Sequence, residues 1–191
     1  MPKAQNMNVL ITGANGFIGQ NLVSTLAARG DMTVFALVRD LNLTPKLPNI
    51  NYLEGDILDL QRWKHNLASI DVVVHTAGRA HVMNDTAKDP ITAFWETNTY
   101  ATSLLAKTSA YFKVKRFIYL SSLKVHGEYT ADGDAFTHMS KFDPQDAYAI
   151  SKYEAENELR YINKSHGIET VIIRPPLVYG QRAKGNLAKL Q

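Results

Sequence analysis

Tyr148 and Lys152, in Tyr148-Ala149-Ile150-Ser151-Lys152, stand four positions apart, which puts both side chains on one face of a helix. That geometry can turn a phenol into a catalyst. A tyrosine with an ordinary pKa of roughly 10 is a poor base at neutral pH, and a neighbouring ammonium favours the phenolate and lowers that value. The same spacing also fits an amphipathic helix with a half-buried ring beside a solvated charge, so the pair gains meaning from its company.

The first companion is Gly13-Ala14-Asn15-Gly16-Phe17-Ile18-Gly19, which directly follows the strand-like Val9-Leu10-Ile11-Thr12 and opens a helical segment. Gly13 permits a tight turn, Gly16 lets backbone amides approach a pyrophosphate, and Gly19 lets helix and strand pack closely. The helix amino end favours the anion. The pattern predicts a dinucleotide site. Asp56, after the third strand-like run, can accept a hydrogen bond from an adenine amino group or cap the segment that follows. Both uses stay open from the residues alone.

Positioning these groups requires a frame. Short apolar, β-branched runs at Asn8–Thr12, Thr33–Val38, Asn51–Leu53, Val72–His75, Arg116–Leu120 and Thr170–Ile173 read as strands. Helical patterns fall between them at Phe17–Arg29, Leu58–Ser69, Pro90–Phe112 and Ala147–Ser165. This order predicts an α/β fold with a doubly wound parallel sheet, the Rossmann fold, whose ligand crevice lies at the carboxyl ends of the strands. Two long loops, Gly78–Asp89 and Gly127–Gln145, are candidates to close over a ligand.

Composition narrows the function classes. The 191 residues are 45% hydrophobic and 20% charged, enough for one ordinary globular core. Without any Cys, disulfides, thiolate metal sites and cysteine nucleophiles are excluded, and a reducing cytosol is suited. No apolar run approaches membrane-spanning length, and the amino terminus lacks the pattern of a signal peptide, so the chain reads as cytoplasmic. The formal charge of +3 is scattered, so nucleic acid is not implied. Lys113, Lys115 and Arg116 read as a solvated helix end.

Over essentially its whole length the chain resembles the extended short-chain dehydrogenases/reductases, in particular their nucleotide-sugar epimerase/dehydratase group. The matching residues are Gly13 to Gly19, Asp56, His75-Thr76-Ala77-Gly78, Asn98 within Thr97-Asn98-Thr99, Ser121 to Gly127, Tyr148 to Lys152, and Arg174-Pro175-Pro176-Leu177-Val178-Tyr179-Gly180. The resemblance implies that Tyr148 is the acid/base and that Ser122 hydrogen-bonds the reacting sugar oxygen. The family places its serine five residues before the motif glycine, Gly127, which selects Ser122 over Ser121. Lys152 would bind the nicotinamide ribose and lower the Tyr148 pKa. The cofactor would run along Gly13, Asn15, Gly16, Phe17, Ile18 and Gly19. It would continue past Arg39, Asp56, Ile57, Thr76, Ala77, Gly78, Asn98 and Pro175, and reach Tyr148 and Lys152.

Departures from the family pattern refine this. The sugar 4,6-dehydratases carry an Asp-Glu pair after the catalytic hydroxyl residue, and here Leu123-Lys124 stand there, which points away from elimination. Lys124 itself reads as a solvated lysine, with a substrate phosphate as its alternative partner. NAD enzymes of this fold usually carry an acid at the end of the second strand, whereas Arg suits a 2′-phosphate. Val38 stands at that position with Arg39 next, which favours NADP over NAD, and Asp40 keeps NAD open.

The resemblance therefore implies NAD(P)-dependent redox chemistry at C4 of a nucleoside-diphosphate sugar, a UDP-sugar, by a 4-epimerase or a 4-ketoreductase of surface-polysaccharide synthesis. Two other readings share parts of the pattern: a non-catalytic dinucleotide-binding module or relic, and an NADPH-dependent reductase of a hydrophobic ketone. Family members continue through a further substrate lobe. The expected division is thus a cofactor domain with the catalytic residues over 1–180 and the start of a shortened lobe over 181–191. Helices over Pro90–Phe112 and Ala147–Ser165 pair into a dimeric bundle in much of the family, so a homodimer is also expected.

Overall fold

The computed structural model describes residues 6–44, 46–80, 89–131 and 133–180. Six strands form within these limits: β1 (Met7–Thr12), β2 (Met32–Val38), β3 (Ile50–Glu54), β4 (Val72–His75), β5 (Arg116–Leu120) and β6 (Glu169–Ile173). They form one sheet in the order β3-β2-β1-β4-β5-β6, with every neighbouring pair parallel. Near-continuous apolar runs such as Val72-Val73-Val74 suit this arrangement, because parallel strands are covered on both faces. Strand order reverses between β1 and β4, and the crevice of such a sheet opens at the carboxyl ends of those two strands.

Helix α1 (Phe17–Arg29) connects β1 to β2 and ends at Gly30 with φ 74°, a left-handed stop that glycine adopts without strain. It covers one core of Val9, Ile11, Val23, Val34 and Ala36. The opposite face carries the larger core, where Trp63, Leu105, Phe117, Leu159 and Ile162 pack under α3 (Ala101–Tyr111) and α4 (Ala147–His166). Asp146 caps α4 by accepting from the Ala149 amide at 2.7 Å, and Gly167 at φ 72° ends it.

Two segments differ from expectation. The helix expected over Leu58–Ser69 is instead two short 3₁₀ segments, Leu60–Arg62 and Lys64–Ser69, broken at Trp63 with φ −130°. The cause is tertiary. The indole is 1% exposed, donates through Nε1 to the Asp56 carbonyl at 2.8 Å, and packs where Gly55 has no side chain. Pro90–Phe112 is helical as expected, but its middle is a π-turn, Trp95–Tyr100, between α2 (Pro90–Phe94) and α3.

Of the two long loops, most of Gly78–Asp89 lies outside the described residues. The end of the other is pinned: Phe142 stacks on His126 at 5.1 Å and meets Tyr153 at 4.7 Å, while Asp143 donates its amide to the Val125 carbonyl. Among the described residues no helix is long and apolar enough to cross a membrane. Lys115 pairs with Asp71 and Arg116 with Glu169 at the surface, so these two cations are ion-paired.

Candidate active site

The glycine turn sits where the sequence places it, between β1 and α1. Gly13 has φ +65°, and a Cβ there would lie 2.7 Å from the Ala77 backbone. A Cβ on Gly19 would stand 2.1 Å from the Gly13 carbonyl oxygen, so helix and turn touch only because both positions lack side chains. Gly16 differs. It is exposed, has ordinary extended backbone, and its missing Cβ would meet only the Gly13 oxygen at 3.1 Å. Together with exposed Asn15 and the open amino end of α1, this leaves a backbone cradle that fits a pyrophosphate.

Across the crevice, β4 supplies the other wall. Thr76 donates its hydroxyl to the Thr12 carbonyl at 2.7 Å, and the Ala77 amide reaches the Thr12 hydroxyl at 3.4 Å, locking the two strand ends together. Gly78 leaves room for two buried groups, since a Cβ there would be 3.0 Å from Asn98 Oδ1 and 3.1 Å from Lys152 Nζ. Asn98 lies in the π-turn at 1% exposure. It accepts from the Arg79 amide at 2.8 Å and donates to the Arg79 carbonyl and the Ser151 hydroxyl at 3.0 Å each. Its side chain thus orders the loop after β4 against α4. Phe17 is the first residue of α1, just past the glycine turn, and Pro175, two residues beyond β6, accepts from the Leu123 amide at 2.9 Å.

Not all of the expected cofactor residues face the crevice equally. Ile18 points into an apolar groove beneath the sheet with Leu22, Val74 and Ile118. Asp56 caps the turn beyond it by accepting from the Leu58 amide at 2.9 Å, and Ile57 is buried core at 8% exposure. Arg39 is exposed just beyond the last residue of β2, Val38.

Ser122, Tyr148 and Lys152 do converge. Ser122 lies near enough to Tyr148 for its hydroxyl to draw the phenol's pKa down, its Oγ accepts from the Lys124 amide at 3.2 Å, and the Tyr148 ring meets Phe94 edge-on at 6.1 Å. Lys152 is 5% exposed, donates to the Leu120 carbonyl at 3.0 Å, and lies 5.9 Å from the Tyr148 ring centre and 4.8 Å from that of Tyr119. Burial pushes the Lys152 ammonium down to about 8, against the favourable charge of Glu156. Burial also raises the Tyr148 phenol above its ordinary value; the neighbouring Ser122 hydroxyl and the Lys124 charge oppose this, and the Asp146 charge adds to it. The expectation that Lys152 lowers this phenol is not met in the protein alone: the ammonium is not among the groups that act on the phenol, and it donates to the Leu120 carbonyl. With its proton held, Tyr148 stands ready to donate.

Lys124 is part-exposed but not free for a phosphate: Nζ lies 2.5 Å from Asp146 and 2.8 Å from Glu128. Sequence reasoning also left two buried groups without roles. Glu156, fully buried, accepts from Ser121, Arg160 and Arg174, and an acid one turn beyond Lys152 on the inward stripe of α4 was the readable sign of it. His75 bridges the hydroxyls of Thr12 at 2.7 Å and Thr102 at 2.9 Å, joining β1, β4 and α3. Besides the apolar groove, whose lining includes Thr76 and Leu120, a surface cleft lies beside Trp95, Tyr100 and Glu158.

A doubly wound sheet with a glycine cradle at its switch point and a Ser-Tyr-Lys set beside it defines a dinucleotide-binding fold of the reductase kind. Residues 9–190 match the NAD dependent epimerase/dehydratase family, and the chain belongs to that family. Among curated relatives, it is 42% identical over 190 residues to a UDP-glucose 4-epimerase of Vibrio cholerae, covering 100% of this chain and 56% of that protein. It is 31% identical to a 3 beta-hydroxysteroid dehydrogenase/Delta 5-->4-isomerase of Mycobacterium tuberculosis, covering 95% and 50%. Among solved structures, the UDP-glucuronic acid 4-epimerase of Bacillus cereus in complex with NAD matches with TM-score 0.79 and 27% identity, covering 93% of this chain and 59% of that one. The chain thus spans about half the length of these relatives.

Proposed function

We propose that this chain carries the cofactor-binding and proton-transferring half of an NAD(P)-dependent enzyme acting at C4 of a nucleoside-diphosphate sugar, as a 4-epimerase or a 4-ketoreductase. The observation that carries the reading is the convergence of Ser122, Tyr148 and Lys152 beside the glycine cradle. A bound nicotinamide supplies a two-electron partner that takes or gives a hydride. The residues supply the rest. Tyr148 moves the proton of the reacting hydroxyl, giving it to a forming alkoxide or taking it during oxidation. Ser122 holds the same oxygen. Lys152, a buried cation at the floor of the crevice, anchors the nicotinamide ribose and offsets charge when Tyr148 is ionised.

Elimination of water is disfavoured by Lys124, which fills the place of an acid in the dehydratases and is tied to Asp146 and Glu128. The similar 4-epimerases, named for UDP-glucose and UDP-glucuronic acid, support a UDP-sugar. A role in surface-polysaccharide synthesis rests on the family resemblance of the segments Ser121 to Glu128 and Asp146 to Glu156. Exposed Arg39 favours NADP, while the NAD named in the solved relative supports NAD. A homodimer through α2, α3 and α4 is supported by half-exposed Trp95 and Tyr100 on that face. The steroid dehydrogenase likeness keeps a hydrophobic ketone as the second reading.

Calorimetric titration with NAD, NADP and their reduced forms, with and without UDP-sugars, tests the reading. Micromolar dinucleotide binding that UDP strengthens or that UDP-sugars perturb is expected. Absence of any dinucleotide binding would overturn it. Tyr148→Phe separates an enzyme from a mere binding module: affinity should survive within about twofold, while turnover vanishes.

A further inference from the structure

Leu120, Ser121 and Ser122 are consecutive at the carboxyl end of β5, and each is engaged by a different turn of α4. Lys152 donates to the Leu120 carbonyl, Ser121 donates to Glu156 Oε1 at 2.6 Å, and Ser122 lies near enough to Tyr148 to act on its phenol. Tyr148, Lys152 and Glu156 are four residues apart in succession and form one stripe of the helix. The first two have roles in the proposed chemistry, and the third has none.

Glu156 is 0% exposed, a rare place for a carboxylate. It is held by Arg174 through Nε at 2.8 Å and Nη2 at 2.6 Å, and by Arg160 at 2.6 Å. The Arg174 guanidinium also reaches His126 Nε2 at 3.1 Å, and the next residue, Pro175, accepts from the Leu123 amide. One carboxylate therefore joins α4 to the ends of both β5 and β6. Buried ion pairs add little net stability over apolar packing, and their better attested use is to specify one arrangement. The arrangement specified here places Ser122 and Lys152.

We propose that Glu156 is a positioning residue of the dinucleotide site: it locks the end of β5 against α4 and so holds the Lys152 ammonium in place and charged. The inference rests on the dinucleotide reading above. The other groups facing the ammonium are Tyr148 on α4, Tyr119 on β5 and His75 on β4, all neutral at neutral pH because burial raises both phenols and keeps the imidazole unprotonated. Glu156 is the anion among them.

The test is NADH affinity of the 191-residue chain, followed by nucleotide fluorescence from pH 6 to 10, for the unaltered protein, Glu156→Gln, Lys152→Met and the double variant. In the unaltered protein affinity should fall on the alkaline side as the ammonium is lost. With Glu156→Gln that fall should begin about one pH unit lower, the size of a neighbouring-charge effect, while affinity at pH 6 changes less than about threefold. In the Lys152→Met background the Gln substitution should change affinity less than about twofold at any pH. Equal weakening at every pH, or an undiminished effect without Lys152, overturns the inference and leaves the dinucleotide reading standing. No binding by the unaltered protein overturns both. Should Glu156→Gln not fold, Ser121→Ala is read the same way: a smaller shift in the same direction supports the inference, and a parallel profile overturns it.

Discussion

The Lys152 ammonium donates to the Leu120 carbonyl at 3.0 Å while standing in a nearly closed pocket. Burial has lowered its pKa to about 8, from an ordinary 10.5. Below about pH 8 both folded and unfolded chains carry this charge, and the folded one bears the desolvation. The destabilisation is on the order of 3 kcal/mol and fades as pH rises from 8 towards 10.5. Lys152→Met removes it but leaves the Leu120 carbonyl unpaired, at a cost of about 1–3 kcal/mol. Urea denaturation at pH 7 should therefore show a variant as stable as the original or about 1 kcal/mol more so, with dinucleotide affinity down at least about tenfold. A loss of several kcal/mol would show that Lys152 is structural.

Gly16 and Gly19 belong to one motif but should fail differently. A methyl on Gly19 collides with the Gly13 carbonyl at 2.1 Å, and the backbone has no flexible end to move aside. Gly19→Ala should lower stability by about 2–3 kcal/mol through overpacking. Gly16 needs no unusual φ, so Gly16→Ala should stay within about 1 kcal/mol of the original. Its methyl would stand where a pyrophosphate meets the helix end, so NADH affinity should drop about tenfold or more. Thermal melts beside fluorescence titrations check both; similar melting temperatures for the two variants would refute the distinction.

The frame was readable because its signals are local. Strand limits at Val72–His75 and Arg116–Leu120 and the helix Phe17–Arg29 follow from periodicity and bounding turn residues. The glycine cradle was readable for the same reason. The break at Trp63 was not, since it depends on an indole reaching back to the Asp56 carbonyl and filling the space beside Gly55. Nor was the π-turn that brings Asn98 to Arg79 and Ser151, partners 19 and 53 residues away. The ion pair of Lys124 was not legible because Asp146 lies 22 residues beyond it and only the fold brings them together.

His75 sets an acid limit. Its imidazole is fully buried between two threonine hydroxyls, and burial with the Lys152 charge pushes it down to about 3. The unfolded chain protonates this group near 6.5 while the folded chain does not. Its contribution is complete above about pH 6.5 and is lost progressively as pH falls towards 3, at about 1.4 kcal/mol per pH unit. Stability measured from pH 7 to 4 should fall with that slope in addition to any carboxylate effects. His75→Gln should flatten the segment between pH 6.5 and 5, where few carboxylates titrate. An unchanged slope there would assign the acid sensitivity elsewhere.

Lys124 and Asp146 act on Tyr148 in opposite directions. The carboxylate raises the phenol pKa, the ammonium lowers it, and the two are paired at 2.5 Å beside the amino end of α4. Replacing Lys124 with Met leaves the Asp146 charge unopposed while its bond to the Ala149 amide still caps the helix. Because the pair is more than a third exposed, stability should change by less than about 1 kcal/mol. The phenol should respond more clearly, titrating at higher pH than in the original protein. Carbon-13 resonance of Cζ-labelled tyrosine, with Tyr148→Phe to assign the signal, reads that shift without requiring turnover. An unmoved or lowered titration would mean that the lysine holds Asp146 in place but has no electrostatic hold on the proton Tyr148 transfers.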